Sequence, residues 1–107
     1  MIARVIYTDR VEPEIQPALR EGVTRFAKPT LTQQEGLVSA FWSSADDGRV
    51  VSVTIWESTE LMKRAELAMN VPAKPGQPHV QVPPQRVEVY EVWEHLSGNE
   101  PAVTGKS

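Results

Sequence analysis

The stretch VVSVTIWESTE at residues 50–60 places hydroxyl and indole side chains at alternate positions of a predicted strand. Successive side chains of a strand point to opposite faces, so Ser52, Thr54 and Trp56 should share one face. A wall that mixes hydroxyl groups with an aromatic ring is typical of a small-molecule pocket. The alternative is packing, in which Trp56 belongs to a core or a subunit contact and the two hydroxyls bond each other or a partner sheet. Both interpretations are open at this point.

Aromatic and basic side chains on other predicted strands extend this candidate pocket. Trp42 and Tyr7 lie on strands that can face the helices, and a buried phenol such as Tyr7 seeks a hydrogen-bond partner and can donate a proton. Arg4 and Arg86 lie within or at the start of strands, where an unpaired charge is costly. Each arginine pairs with a glutamate of the last strand, Glu88 or Glu91, or one of them holds the anionic form of an acidic phenol.

Two polar residues outside the strands are further candidates. His79 lies in a proline-rich segment, and its ordinary pKa suits acid–base catalysis near neutrality, although a loop histidine is more often simply solvated. Asn70 caps a helix or orients substrate or oxygen. No metal site is predicted, because strand alternation sends Glu94 to the face opposite Glu91 and His95.

Composition excludes several classes of function. The 107 residues carry a formal charge of −3, which argues against nucleic acid or an anionic membrane as a partner. There is no cysteine, which excludes disulfides and thiolate nucleophiles. The N-terminal apolar run is too short for a signal peptide or a membrane span. We expect a cytoplasmic protein with one domain over residues 1–97 and a disordered tail over 98–107.

Hydrophobic periodicity predicts the order β-α-β-β-α-β, an α+β ferredoxin-like arrangement with one antiparallel sheet. The predicted elements are strand 2–8, a helix that begins near Pro17 and is ended or kinked by Pro29, strands 37–44 and 50–56 around an Asp-Asp-Gly turn, a helix from Ser58 to Asn70, and strand 86–96. Residues 72–84 are proline-rich, and a loop of this length in a compact domain is often a lid or a dimer arm, the alternative being a linker.

The sheet faces also predict an assembly. Both helices should cover one face, and neither face of the strands is purely polar. A second sheet would cover the other face, and a symmetric dimer is the commonest way to supply it. The sequence therefore predicts a homodimer that packs sheet against sheet.

The run GLVSAFWSSADDGRVVSVTIWESTELMKRAE resembles the antibiotic biosynthesis monooxygenase family of dimeric α+β barrels. The shared features are a glycine before the second strand, an acidic-Gly turn, and a strand that ends in Trp-Glu-Ser before a short helix. The resemblance implies an enzyme that oxidises an aromatic phenol, quinol or anthrone with molecular oxygen and needs no cofactor. The haem-degrading relatives have an asparagine in the first strand and a histidine on the helix after the tryptophan, and neither is present here.

This resemblance places the substrate cavity between the sheet and the helices. The residues predicted for the site are His79 and Tyr7 as catalytic groups, and Trp56, Trp42, Ser52, Thr54, Asn70 and Arg86 as substrate-binding groups. The alternative is a non-catalytic dimer of the same fold that binds a small apolar molecule, or a domain whose pocket is filled and that serves only assembly.

Overall fold

The computed structural model describes residues 1–69 and 84–96 of the chain. One antiparallel sheet runs in the order β2-β3-β1-β4, with helical segments between the strands, which confirms the ferredoxin-like α+β fold. The strands are β1 (Ile2–Thr8), β2 (Leu37–Ser44), β3 (Val50–Trp56) and β4 (Pro84–Glu91), and the helices are α1 (Gln16–Gly22), a π-helical turn (Val23–Ala27), α2 (Lys28–Thr32) and α3 (Thr59–Met69).

The two prolines of the first helical region act differently. Pro17 lies in the first turn of α1, as predicted, where its missing N–H has no helical partner to lose. Pro29 does not end the helix. The Lys28 N–H bonds to the carbonyl of Val23, five residues back, and this widened turn accommodates the proline ring before the helix continues to Thr32.

The predicted turn between β2 and β3 is confirmed. The Ala45 N–H bonds to the Arg49 carbonyl at 2.8 Å, and Gly48 takes the left-handed backbone conformation with φ of 92°. Only glycine fits there without strain, because a Cβ would lie 2.8 Å from the carbonyl oxygen of Val11. The turn therefore sets where β2 and β3 begin to pair, and their register shifts once, between Leu37 and Ser39 at the far end of the hairpin.

The boundaries of the later elements follow from their bonding partners. Ser58 caps α3, because its hydroxyl accepts a hydrogen bond from the Leu61 N–H at 3.2 Å. β4 is shorter than the predicted strand 86–96. It ends at Glu91 because its partner β1 begins at Ile2, and the Val92 N–H makes the last bond, to the Met1 carbonyl.

The sheet has a covered face and an open face. Even-numbered residues of β1 and β3 face the helices, and the odd-numbered residues face away from them. The buried core on the covered face consists of Leu31, Trp56, Met62 and Ala65, with Ile2, Leu37, Ala40 and Trp42 packed against it. The open face carries aliphatic and aromatic side chains, among them Val5, Val53 and the exposed Phe41.

Candidate functional site

The covered face of the central strands brings most of the predicted pocket residues together. Ser52, Thr54 and Trp56 share this face, as the alternation predicts. Trp42 of β2 lies directly opposite Ser52, and Arg4 of β1 lies directly opposite Thr54. Residues directly opposite each other in neighbouring antiparallel strands lie close enough for their side chains to interact. These five side chains therefore form one continuous patch across three strands.

Trp56 is a residue of the core within this patch. Its side chain is only 3% exposed and packs among Leu31, Met62 and Ala65. Its indole N–H donates a hydrogen bond to the Thr54 hydroxyl at 2.9 Å. This bond satisfies the buried hydroxyl, which sequence reasoning had left to Ser52 or to a partner sheet. The polar atom of the indole is thereby occupied within the protein.

Arg4 forms an ion pair that sequence reasoning did not find. The prediction paired it with Glu88 or Glu91, but its Nε lies 2.5 Å from Oε1 of Glu66 on α3. The strand register explains the correction, because Glu88 lies on the open face and Glu91 lies opposite Ile2 at the end of the strand. The Nε–H of Arg4 is not directed at the Glu66 carboxylate, so the contact is an ion pair without an aligned hydrogen bond. The side chains are 25% and 41% exposed.

An apolar strip lies beside this ion pair. It consists of Ile6 of β1 and of Val87 and Val89 of β4, all on the covered face, and Val89 lies opposite Arg4. Val87 is 43% exposed and Val89 is 49% exposed, although they point to the side of the sheet that carries the helices. Aliphatic side chains left open on a sheet face mark a surface that can take an apolar ligand.

The structure separates Tyr7 and Arg86 from this patch. Tyr7 lies opposite Val51 and Arg86, so both residues are on the open face, whereas Trp56 is on the covered one. The expectation that Tyr7 and Trp56 line one cavity is therefore wrong, because the odd-numbered residues of β1 point away from the helices. The Arg86 guanidinium lies 4.1 Å from the centre of the Tyr7 ring, in the geometry of a cation–π contact.

Arg86 continues into a polar cluster on the open face. Its Nε lies 3.3 Å from the Glu88 carboxylate, which confirms the predicted ion pair. The Tyr90 hydroxyl donates a hydrogen bond to the same carboxylate at 2.7 Å. This bond needs the protonated phenol, and it raises the pKa of Tyr90 from 10.0 to about 12.

Two predicted site residues, His79 and Asn70, lie outside the described residues, as does most of segment 72–84. A site role for either residue therefore stays a prediction. The structure adds Glu66 as a residue of interest that sequence reasoning missed. The available signal was its place directly after Ala65, at the edge of the buried stripe of α3.

A cleft of about 650 Å³ with a mixed polar and apolar lining lies at the other end of the sheet. It is bordered by the β2–β3 turn and by α1, including Gln16, Arg20 and Asp46. The Arg20 guanidinium donates to the Ser44 hydroxyl there at 3.2 Å. The lining of this cleft contains none of the predicted site residues, because Trp56 lies at the opposite end of β3.

These features define a ferredoxin-like α+β protein with helices and an aromatic, hydroxyl-lined patch on one sheet face. The other face carries apolar side chains on the central strands and the polar cluster of Arg86, Glu88 and Tyr90 on β4. The chain belongs to the antibiotic biosynthesis monooxygenase family, whose family model matches residues 1–66. No curated protein sequence matches the chain. Among the described residues, no helix is both long and apolar enough to cross a membrane.

Solved structures show the same fold at low sequence identity. The haem-degrading protein of Mycobacterium tuberculosis is 19% identical with a TM-score of 0.61, covering 91% of this chain and 100% of that one. A monooxygenase of Streptomyces coelicolor in complex with nanaomycin D is 19% identical with a TM-score of 0.62, covering 90% of each chain. A cofactor-independent oxygenase of Streptomyces nogalater is 14% identical with a TM-score of 0.51, covering 89% of this chain and 92% of that one.

Proposed function

We propose that this protein is a cofactor-independent monooxygenase that oxidises an aromatic phenol, quinol or anthrone with molecular oxygen. The observation that carries the proposal is the apolar strip on the covered face, which adjoins the patch of Trp42, Ser52 and Arg4. A flat aromatic substrate can lie on Val87 and Val89 with its polar edge toward that patch. Family membership and the two oxygenases of the same fold support the same class of reaction.

The reaction requires the protein only to bind the substrate and to transfer protons. An ionised phenol or enol is electron-rich and passes one electron to dioxygen. The substrate radical and superoxide then join as a carbon-bound peroxide anion, and the proton that the substrate lost on ionisation converts this anion to a hydroperoxide. For an anthrone, loss of water from the hydroperoxide leaves a quinone. One oxygen atom stays in the product, and the other leaves as water with both hydrogen atoms of the substrate methylene. The protein accelerates this sequence if it binds the anion and excludes bulk water.

A homodimer is part of the proposal. The open face carries half-buried Val5, Val53 and Ile55 and the exposed Phe41, which is more apolar surface than a solvated sheet face usually shows. A second copy packed on this face would bury that surface. Tyr7 and Arg86 would then belong to the subunit contact.

Haem degradation is a weaker candidate for this chain, although one solved relative of the same fold is a haem-degrading protein. The described part of α3 contains no histidine that could hold the haem iron. Within the described part of α3, the side chain that pairs with the one charged residue of the patch, Arg4, is instead the carboxylate of Glu66.

Oxygen uptake tests the oxygenase proposal. Metal-stripped protein is given a panel of anthrones and hydroquinones, and the rate is compared with the spontaneous oxidation of each compound. The diagnostic variant is Val87→Trp, which fills the apolar strip at a position exposed enough to accept the ring. The matched control is Leu67→Trp, at an exposed position on α3.

We expect saturable uptake by the wild type, a loss of at least tenfold in Val87→Trp, and no change in Leu67→Trp. Uptake that never exceeds the spontaneous rate, combined with saturable quenching of tryptophan fluorescence by the same compounds, would instead favour a non-catalytic binding protein. Equal rates of oxygen uptake in the two variants would show that the apolar strip is not part of the substrate site.

A further inference from the structure

The Arg4–Glu66 ion pair differs from the other ion pairs of the described residues in its position. Arg4 is the least exposed side chain among them, and the pair joins β1 to α3 at the covered face of the sheet. Surface pairs such as Arg64–Glu60 lie within one helix and are widely exposed. A partly buried pair is expensive to desolvate and adds little to stability, so its position next to an open apolar strip calls for another explanation.

The donors of Arg4 are incompletely used. The Nε atom is buried, and among the described residues its N–H has no aligned acceptor, even though the Glu66 carboxylate is 2.5 Å away. A guanidinium carries five N–H donors in a planar fork. It can donate several hydrogen bonds to an oxyanion, whereas the contact with Glu66 lacks an aligned hydrogen bond from Nε. Arg4 lies opposite Val89, so a ligand on the apolar strip has its polar edge beside this fork.

We infer that Glu66 accepts the proton of the substrate's phenol or enol and that Arg4 holds the oxyanion that forms. This inference rests on the proposed oxygenase function and supplies the acid–base group that the described candidates lacked. The O–H bond of the substrate breaks, its electron pair stays on oxygen, and its proton forms the O–H bond of the Glu66 carboxylic acid.

The electrostatic balance favours this exchange. Before the transfer, the Arg4 charge faces the Glu66 carboxylate. Afterwards it faces the substrate oxyanion, while Glu66 is neutral, so the net charge of the site does not change. Desolvation opposes creation of a new charge, but here a negative charge only moves from one oxygen to another beside the same cation. The proton on Glu66 is then available to the peroxide oxygen that leaves as water.

Few other charged groups of the described residues share this face. Glu91 of β4 lies opposite Ile2, and Lys63 precedes Glu66 by one turn of α3. Neither β2 nor β3 carries a charged residue, and Arg20 of α1 bonds to Ser44 at the far end of the sheet.

A chromogenic phenol tests the anion-binding half of the inference without turnover. Para-nitrophenol absorbs visible light only as the phenolate, so its absorbance reports its ionisation when bound. With saturating wild-type protein we expect its ionisation midpoint to fall by about 1 pH unit or more, as for an acid beside an arginine. Arg4→Met should abolish that shift of the dye, and Arg4→Lys should keep part of it. Glu66→Gln should keep all of it, because the Glu66 carboxylate then no longer competes with the phenolate for Arg4.

Matched controls lie on the exposed side of the same helix. Arg64→Met and Glu60→Gln remove the members of a surface ion pair with the same substitutions, and neither should alter the shift. Circular dichroism and thermal melting establish that the Arg4 and Glu66 variants are folded. If the dye binds but ionises as it does in water, or if the shift survives in folded Arg4→Met, the inference is overturned and the oxygenase proposal stands. If neither the dye nor any panel compound binds, the proposed substrate site fails together with the inference.

Turnover tests the proton-transfer half. Below the pKa of the substrate, Glu66→Gln should reduce oxygen uptake by at least a hundredfold, in the range expected for loss of a general base. As the pH is raised, the rate of the Glu66→Gln variant should rise about tenfold per pH unit toward the wild-type rate, because substrate that is already ionised does not need a base. A wild-type rate in Glu66→Gln at every pH would overturn the role of Glu66.

Discussion

The indole N–H of Trp56 donates a hydrogen bond to the hydroxyl of Thr54, two residues earlier on the same face of β3, at 2.9 Å. Both residues are buried, so the bond satisfies a donor and an acceptor that would otherwise be costly inside the protein. The tryptophan that ends this strand therefore belongs to the core that supports the candidate site. The groups open to a ligand are its neighbours, above all Arg4 and the apolar strip.

Replacement of Trp56 by phenylalanine should mainly affect stability. The substitution removes the bond to Thr54 and leaves part of the indole volume empty, so the free energy of unfolding should fall by about 1–3 kcal/mol. Urea unfolding followed by circular dichroism measures the change. Trp93→Phe is the control, because that side chain is exposed, and it should change the value by less than about 0.5 kcal/mol. Equal effects in the two variants would contradict the assignment of Trp56 to the core.

Two glycines should respond in opposite directions to alanine. Gly36 has a φ of 88°, and a Cβ there would lie 2.5 Å from Cδ1 of Leu61, so Gly36→Ala should lower the free energy of unfolding by about 1–2 kcal/mol or more. Gly22 lies in α1 with open space around its Cα, so Gly22→Ala should raise the value by about 0.5–1 kcal/mol. Thermal melting of the two variants measures both effects, and a stabilised Gly36→Ala would contradict the close packing of α3 on this turn.

The proposed homodimer should depend on the open face of the sheet. Phe41 is exposed on that face, so Phe41→Glu should leave the protomer folded while placing a charge in the subunit contact. We expect a dimer mass for the wild type and a monomer mass for Phe41→Glu, by light scattering at micromolar concentration. Leu67→Glu, on the outer side of α3, should remain dimeric. A monomeric wild type would refute the proposal.

The Tyr90–Glu88 bond should give the protein a stability that is lost at high pH. The pKa of Tyr90 is raised to about 12, so its bond is intact below the ordinary value of 10.0 and is lost as the pH rises through 12. Ultraviolet absorbance of tyrosinate measures the ionisation. Glu88→Gln should move that ionisation back toward 10.0, whereas Glu91→Gln should not. An unchanged titration in Glu88→Gln would contradict the hydrogen bond as the cause.

Local patterns were enough to predict most of the backbone. The Asp-Asp-Gly turn and the Ser58 cap depend on neighbours in sequence, and both are found where predicted. Of the two effects predicted for Pro29, ending the helix is wrong, because a widened helical turn can absorb a proline that an ordinary α-helical turn would reject. Alternation placed Ser52, Thr54 and Trp56 together without any tertiary information.

The sequence by itself determined the fold class, the position of the hairpin turn and the grouping of Ser52, Thr54 and Trp56 on one face, because all three follow from side-chain periodicity and turn chemistry over a few residues. The register shift between Leu37 and Ser39, which places Leu37 on the covered face with Ala40 and Trp42, was visible only in the structure. Only the tertiary structure decided which face of each strand the helices cover, and that choice put Tyr7 and Trp56 on opposite sides of the sheet. It also brought Glu66 to Arg4, residues 62 positions apart in the chain. Such a pairing depends on how α3 crosses the sheet, and helical periodicity shows which side chains face inward but not which strand residue each one meets.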